Sequence, residues 1–113
     1  MALDEVKQII NNIQSGTIAP IYFLMGEEPY YIDGISSFIE GNVLNETERE
    51  FNQMVLYGRD VSIDDIVSQS KRYPMMAERQ VVIVKEAQDL SRTIENLAPY
   101  AEAPQTSTVL VMC

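Results

Sequence analysis

The chain has 113 residues, of which 46% are hydrophobic and 22% charged, and its formal net charge is −9 at pH 7. This length predicts one globular domain, and the acidic balance argues against a domain that grips nucleic acid by itself, because phosphate neutralisation needs clustered Lys and Arg. The chain has no histidine and one cysteine, Cys113, which excludes His-based acid–base catalysis, an internal disulfide and a Cys-based metal site.

The two ends of the chain give expectations about its location and its length. The stretch Met1–Glu5 is acidic and amphipathic, whereas a signal peptide would be basic and then apolar, and no apolar run approaches the roughly 20 residues of a membrane helix. We therefore expect a cytoplasmic protein with no membrane contact. The closing stretch Thr108–Cys113 has the pattern of a strand, and because natural domains seldom stop inside a buried strand, we expect a piece of a longer protein.

The first third of the chain predicts a helix, a strand and a second helix. Apolar residues recur at helical spacing over the first 13 residues, and Gly16 is a suitable stop. The apolar run Ile21–Met25, closed by Gly26, predicts the first strand. After a turn at Glu27–Pro29, helical spacing of apolar residues predicts a second helix over Tyr30–Gly41.

The middle of the chain predicts a second strand and a third helix. The polar stretch Asn42–Glu50 predicts a loop or a frayed helix end, and Phe51–Tyr57 predicts a strand whose mixed pattern is typical of a sheet edge. Ser62 and Asp65 form a near capping box for a helix that extends to Arg72.

The last third predicts two more strands and completes the fold. The stretch Gln80–Val84 is largely β-branched, which favours a third strand that is buried on both faces. Ser91 is predicted to cap a helix that Pro99 interrupts, and Thr108–Cys113 is the fourth strand. Because alternating strands and helices imply crossover connections, the fold class is α/β, with a parallel sheet and helices on both faces.

Ligands of such sheets bind beyond the carboxyl ends of the strands, so two segments, Gly26–Asp33 and Lys85–Asp89, stand where nucleotide motifs would lie. If Gly26 opens a P-loop, Tyr31, Ile32 and Asp33 occupy the slots of its second glycine, its lysine and its hydroxyl residue. The later phosphate-holding elements are therefore missing.

The end of the third strand departs from an ATPase in the same way. A Walker B motif would place Asp-Glu after the apolar run, but Lys85-Glu86 follows it here. In an ATPase, the motifs after the first and third strands must cooperate to bind nucleotide. Because both motifs have lost their functional residues here, we predict an NTPase-shaped domain that is not an enzyme and holds no cofactor. The alternative is a nucleotide-binding or magnesium-binding receiver-like domain that uses Glu27 and Glu28, although Lys85 takes the phospho-acceptor position. A solvated turn before a helix would also explain the two glutamates.

The loop before the third strand carries an apolar pair, Met75 and Met76, directly after Pro74. A proline there disfavours helix at Tyr73, so the chain should turn at the surface. Two interpretations are open: the methionines fill gaps under the sheet, as methionines commonly do, or they bind a partner.

Three blocks together resemble the amino-terminal domain of the delta subunits of bacterial DNA polymerase III, the clamp-loader subunits that open the sliding clamp. They are Pro20–Asp33 (Pro-Ile-Tyr-Phe-Leu-Met-Gly-Glu-Glu-Pro-Tyr-Tyr-Ile-Asp), Tyr73–Ala87 and the strand from Thr108. The resemblance implies an AAA+-like fold without ATPase function, whose lid and collar domains lie outside residues 1–113. It implies as partners the sliding clamp (beta subunit) and other clamp-loader subunits, with DNA contacted only indirectly.

The resemblance also gives the methionine pair a role. In that family an apolar pair before the third strand inserts into a hydrophobic pocket of the clamp, and by position the pair here is Met75 and Met76, with Pro74 and Arg79 beside it. The family's pair is commonly Leu-Phe, so Met-Met keeps the apolar length and gives up aromatic area. Arg72 and Arg79 would steer the loop toward acidic residues of a partner or are solvated charges, and Tyr73 is expected to pack.

Overall fold

The computed structural model describes residues 3–24 and 29–113, with the backbone alone at Leu3 and Pro29. This part of the chain contains five α-helices and four strands, with helices between successive strands, and two short 3-10 helices precede the last α-helix. Their bounds are α1 Leu3–Gln14, β1 Ile21–Phe23, α2 Pro29–Asn42, α3 Glu46–Asn52, β2 Gln53–Tyr57, α4 Ile63–Ser70, β3 Gln80–Lys85, the 3-10 helices Ala87–Leu90 and Ile94–Leu97, α5 Ala98–Glu102 and β4 Thr108–Met112.

The four strands form one parallel sheet in the order β1-β4-β3-β2. In its register, Val82 lies between Met54 of β2 and Leu110 of β4. The central strands β3 and β4 are buried along almost their whole length, which explains their continuous apolar runs. The predicted parallel sheet is confirmed, and so is the prediction that β2 lies at an edge.

Helices cover both faces of this sheet, as the sequence predicts. Side chains alternate between the two faces of a strand, so Val81 and Ile83 join one core cluster while Val82 and Val84 join the other. The first cluster includes apolar residues of α1 and α2, and the second includes those of α4, the 3-10 helices and α5. The sheet is therefore a rigid, two-sided support for the loops at its edges.

Two predicted helix boundaries are explained by local hydrogen bonds. Gly16 has a φ of 90° just after α1, where the N–H of Gly16 bonds to the carbonyl of Ile13 and that of Thr17 bonds to the carbonyl of Asn12. At the start of α4, Ser62 and Asp65 form a complete capping box.

Two sequence predictions about the elements are wrong. The stretch Asn42–Glu50 is not a loop throughout, because α3 begins at Glu46 with a capping box between Asn45 and Glu48, and the strand predicted from Phe51 begins only at Gln53. Ser91 follows a 3-10 helix instead of capping a helix, and Pro99 stands in the first turn of α5 instead of interrupting one. Among the described residues, no helix is long and apolar enough to cross a membrane.

Candidate functional site

The loop of residues 71–79, which we call the methionine loop, connects α4 to β3. Because β3 is parallel to its neighbours, this loop lies at the amino edge of the sheet. The loop forms no helix, and Met76 adopts a left-handed backbone conformation with a φ of 57°. Such a conformation is uncommon for a residue other than glycine, so the surrounding structure must hold it.

Both methionines project from the protein surface. The side chain of Met76 is fully exposed at 103%, and that of Met75 is 58% exposed. The interpretation that the pair fills the core is therefore wrong. The prediction that Tyr73 packs is also wrong, because this side chain is 81% exposed.

Phe51 enlarges the apolar area beside the methionine loop. It stands in the last turn of α3 and is 67% exposed. Phe51, Tyr73 and Met75 line one small depression of about 60 Å³. We call these three residues, together with Met76, the apolar surface. Exposed large apolar side chains that lie together mark interaction sites more often than isolated ones do.

The two methionines face different neighbours. Met75 borders the depression with Phe51, whereas Met76 borders a second one with Leu44, Glu48 and Arg79. Pro74 is partly buried and Arg79 is partly exposed. The predicted residues of the site thus lie on one loop, and the two methionines border different depressions.

Two glutamine side chains hold the base of the methionine loop. The amide nitrogen of Gln80, the first residue of β3, lies 2.6 Å from the carbonyl oxygen of Arg72 and 2.9 Å from Oγ1 of Thr108. The amide nitrogen of Gln105 donates to the same Arg72 carbonyl at 2.7 Å. In turn, the buried Thr108 hydroxyl donates to the Ser70 carbonyl at 2.6 Å. The loop therefore leaves α4 from a fixed position.

Asn52 holds the centre of the loop. It ends α3, and its side chain is only 5% exposed. Its amide oxygen accepts a hydrogen bond from the Met75 N–H at 2.6 Å, and its amide nitrogen donates to the Met75 carbonyl at 2.8 Å and to the Glu48 carbonyl at 3.1 Å. Sequence reasoning missed both Phe51 and Asn52 because it placed them in a strand. The Asn45–Glu48 capping box was the signal that could have placed them in a helix.

The charge around the methionine loop differs from that of the chain. Residues 71–79 contain Lys71, Arg72 and Arg79 with a single acidic residue, Glu78, although acidic residues outnumber basic ones 17 to 8 in the whole chain. The Arg72 guanidinium is exposed and contacts the side chain of Gln69 at 3.3 Å. The methionine loop is thus locally basic beside Met75, where Arg72 lies, whereas Glu48 and Glu78 accompany Arg79 beside Met76.

The opposite, carboxyl edge of the sheet is where nucleotide chemistry was sought. A depression of about 490 Å³ lies there, bordered by Asp33, Lys85, Glu86 and Cys113 among others. Residues 25–28 lie outside the described residues, so the predictions on Gly26, Glu27 and Glu28 are not tested. Within the described residues, no group of three or more Cys, Asp or Glu side chains could hold a metal ion.

Lys85, the last residue of β3, forms an ion pair. Its Nζ lies 3.3 Å from Oε1 of Glu40 on α2. The hydrogen bond that the Lys85 ammonium donates to this carboxylate raises the pKa of Lys85 above its ordinary value. Burial opposes this rise, and the negative charge of Glu40 adds to it. Burial raises the pKa of the neighbouring Cys113 thiol. At neutral pH this edge therefore presents a protonated lysine and a neutral thiol.

Comparison with known proteins agrees with the resemblance seen in the sequence. The DNA polymerase III subunit delta of Bacillus subtilis (strain 168) is 25% identical over 116 residues, which cover 95% of this chain and 33% of that protein. The solved structure of the Bacillus subtilis DNA clamp loader delta protein (YqeN) is also 25% identical, with a TM-score of 0.81, and the match covers 95% of this chain and 34% of that one. This chain thus spans about a third of each. The family model for the DNA polymerase III delta subunit matches residues 22–113, so the chain belongs to the family of DNA polymerase III delta subunits.

Proposed function

We propose that residues 1–113 form the sliding-clamp-binding domain of a clamp-loader delta subunit, and that Met75 and Met76 insert into an apolar pocket of the clamp. The observation that carries this proposal is the exposure of both side chains on a loop that is anchored to a rigid sheet. Exposed apolar side chains have no folding role that would account for them, whereas their burial in a partner is favourable.

Burial of the pair supplies the free energy of binding. Full burial of one methionine is worth about 1.5–3 kcal/mol, to be set against the cost of association. Phe51 and Tyr73 add aromatic area next to the pair. This area compensates for the absence of an aromatic residue from the pair itself. A loop already held by hydrogen bonds loses less conformational entropy on binding than a mobile one.

The charges around the loop would assist the encounter. Arg72, with Lys71 next to it in the chain, gives a locally positive rim beside Met75 on a chain of net charge −9. Arg79 lies beside Met76 together with Glu48 and Glu78, so the positive rim is confined to the Met75 side. Such a rim attracts an acidic partner surface and raises the association rate more than the final affinity. DNA would be contacted only through the assembled loader, because three basic residues cannot neutralise a phosphate backbone.

We propose further that this domain neither binds nor hydrolyses ATP, and that ATP is handled by other clamp-loader subunits in the cytoplasm. Lys85 takes the place of a metal-binding aspartate, and its ion pair with Glu40 stabilises the positive charge there. A cation at this position repels magnesium and supplies no oxygen ligand.

The test is a double substitution, Met75→Ser with Met76→Ser, in the 113-residue chain. We expect affinity for the sliding clamp of the same organism to fall by about 100-fold or more, because burial of two methionines is lost and each 1.4 kcal/mol is a factor of ten. The melting temperature should fall by only a few degrees, since Met76 buries nothing on folding and Met75 buries less than half of its surface.

The matched control is Tyr30→Ser. Tyr30 is 80% exposed but stands in the first turn of α2, at the carboxyl edge of the sheet, so its loss should leave clamp affinity unchanged. Unchanged affinity in the double variant would refute the proposal. A large drop in its melting temperature would instead return the methionines to a role in folding.

A further inference from the structure

Asn52 fixes the methionine loop at a point where nothing else described does. Within residues 73–79, the only hydrogen bonds to the backbone in the described structure are the two between the Asn52 side chain and Met75. Both polar groups of one backbone residue are thus bonded by a single carboxamide. Because that carboxamide is buried, water does not compete strongly for its hydrogen bonds.

The direction of Met76 depends on this backbone and not on side-chain packing. Met76 is fully exposed, so its direction follows from its left-handed φ of 57°, one residue after the bonded Met75. A left-handed residue persists only where its surroundings over-determine it. Loss of the Asn52 bonds would let this segment take other conformations, in which the two side chains no longer project as a pair.

We propose that Asn52 is a positioning residue for partner binding: its carboxamide holds the Met75 backbone so that Met75 and Met76 are presented in the binding-competent arrangement. Asn52 is itself buried beneath the apolar surface and would touch no partner. This inference rests on the proposed function of the methionine pair. The affinity of a protein for its ligand falls in proportion to the fraction of molecules in the competent state, so removal of the two bonds should weaken binding without removing a contact.

The test compares Asn52→Ala with Asn45→Ala in the 113-residue chain. Asn45 caps the same helix, α3, through its bond to the Glu48 N–H, and in the described structure it forms no hydrogen bond with the methionine loop. Loss of the cap lowers the stability of α3 while leaving the Met75 bonds in place. Asn45→Ala therefore controls for a general loss of α3 stability with the Met75 bonds left in place.

Two measurements are made on each variant. In Asn52→Ala, hydrogen exchange of the Met75 amide should accelerate by about tenfold or more, because its hydrogen-bond acceptor is gone. Clamp affinity should fall by about tenfold, and it should fall no further when Asn52→Ala is added to the double serine variant. Asn45→Ala should change neither the Met75 exchange rate nor the affinity by more than about twofold.

The outcomes separate this inference from the proposed function. Unchanged Met75 exchange in Asn52→Ala would overturn the positioning role. Faster exchange with unchanged affinity would also overturn it, and the proposed function would stand if the double serine variant had lost binding. If the double serine variant still bound the clamp, the proposed function would fail and the inference with it. Asn52→Leu, which keeps the number and branching of the side-chain heavy atoms, repeats the comparison if the alanine variant does not fold, and failure of both to fold would assign Asn52 to the core.

Discussion

Substitutions of Met76 by glycine and by valine test whether the methionine loop holds its left-handed conformation. The side chain of Met76 is fully exposed, so these changes affect the free energy of unfolding through the backbone alone. A left-handed conformation costs an L-residue about 1–2 kcal/mol relative to glycine, and more for a β-branched residue. Replacement by glycine relieves this cost. Glycine also raises the conformational entropy of the unfolded chain, which cancels about 0.4–1 kcal/mol of the gain.

The expected order of stability is therefore unusual for an exposed site. We expect Met76→Gly to be as stable as the parent chain or slightly more stable, and Met76→Val to lose about 1 kcal/mol, or about 4 °C in melting temperature. The assay is urea unfolding followed by circular dichroism. Both variants lack the methionine side chain, so both should bind the clamp more weakly.

The same pair of substitutions at Met75 provides the control. Among the described residues other than glycine, only Met76 and Glu86 have a positive φ, so Met75 has an ordinary backbone. At Met75 the order should reverse, with valine more stable than glycine, because glycine carries its usual entropic cost there. If valine is at least as stable as glycine at both positions, Met76 does not hold the left-handed conformation and the reasoning about the loop fails.

Two further predictions concern the carboxyl edge. A Cβ added to Gly58 would collide with the Glu86 carbonyl oxygen, so Gly58→Ala should lower the free energy of unfolding by about 1–3 kcal/mol in urea. Gly34→Ala, in open space on α2, should raise it by up to about 1 kcal/mol, and equal effects would contradict this packing. Calorimetric titration with ATP and magnesium should give no binding tighter than about 1 mM, because Lys85 pairs with Glu40 where a metal ligand would stand. Clear micromolar binding would favour the nucleotide-binding alternative.

The sheet and its covering helices could be predicted because burial leaves a strong pattern in the sequence. Val81–Val84 is apolar without a break since both of its faces are covered, and the edge strand β2 is mixed since one of its sides is open. The helix α3 could not be predicted from such a pattern. It is short and mostly polar, and it is fixed by the capping box of Asn45 and Glu48, which is a local hydrogen-bond signal rather than a periodic one.

The candidate site was predictable only in part. Pro74 and the apolar pair after it indicate an exposed loop, because a proline ends the helical path and apolar side chains at a turn need a partner. The conformation of that loop depends on Asn52, which is 23 residues away in the sequence. Contacts of this kind follow from the packing of α3 against the loop, and since α3 itself was missed, neither Asn52 nor Phe51 could be assigned to the site.

The strand β3 joins the two regions of the functional proposal, which are the methionine loop at the amino edge of the sheet and Lys85 at the carboxyl edge. Gln80 at its start anchors the methionine loop, and Lys85 at its end forms the ion pair with Glu40. Six residues of strand span about 20 Å, which is well beyond the Debye length of about 8 Å at physiological ionic strength. A change of charge at the carboxyl edge therefore has only a weak electrostatic effect on the methionine loop. A fold of this kind can lose the residues that hold nucleotide at one edge while keeping, at the other edge of the same strand, a rigid support for a partner-binding loop.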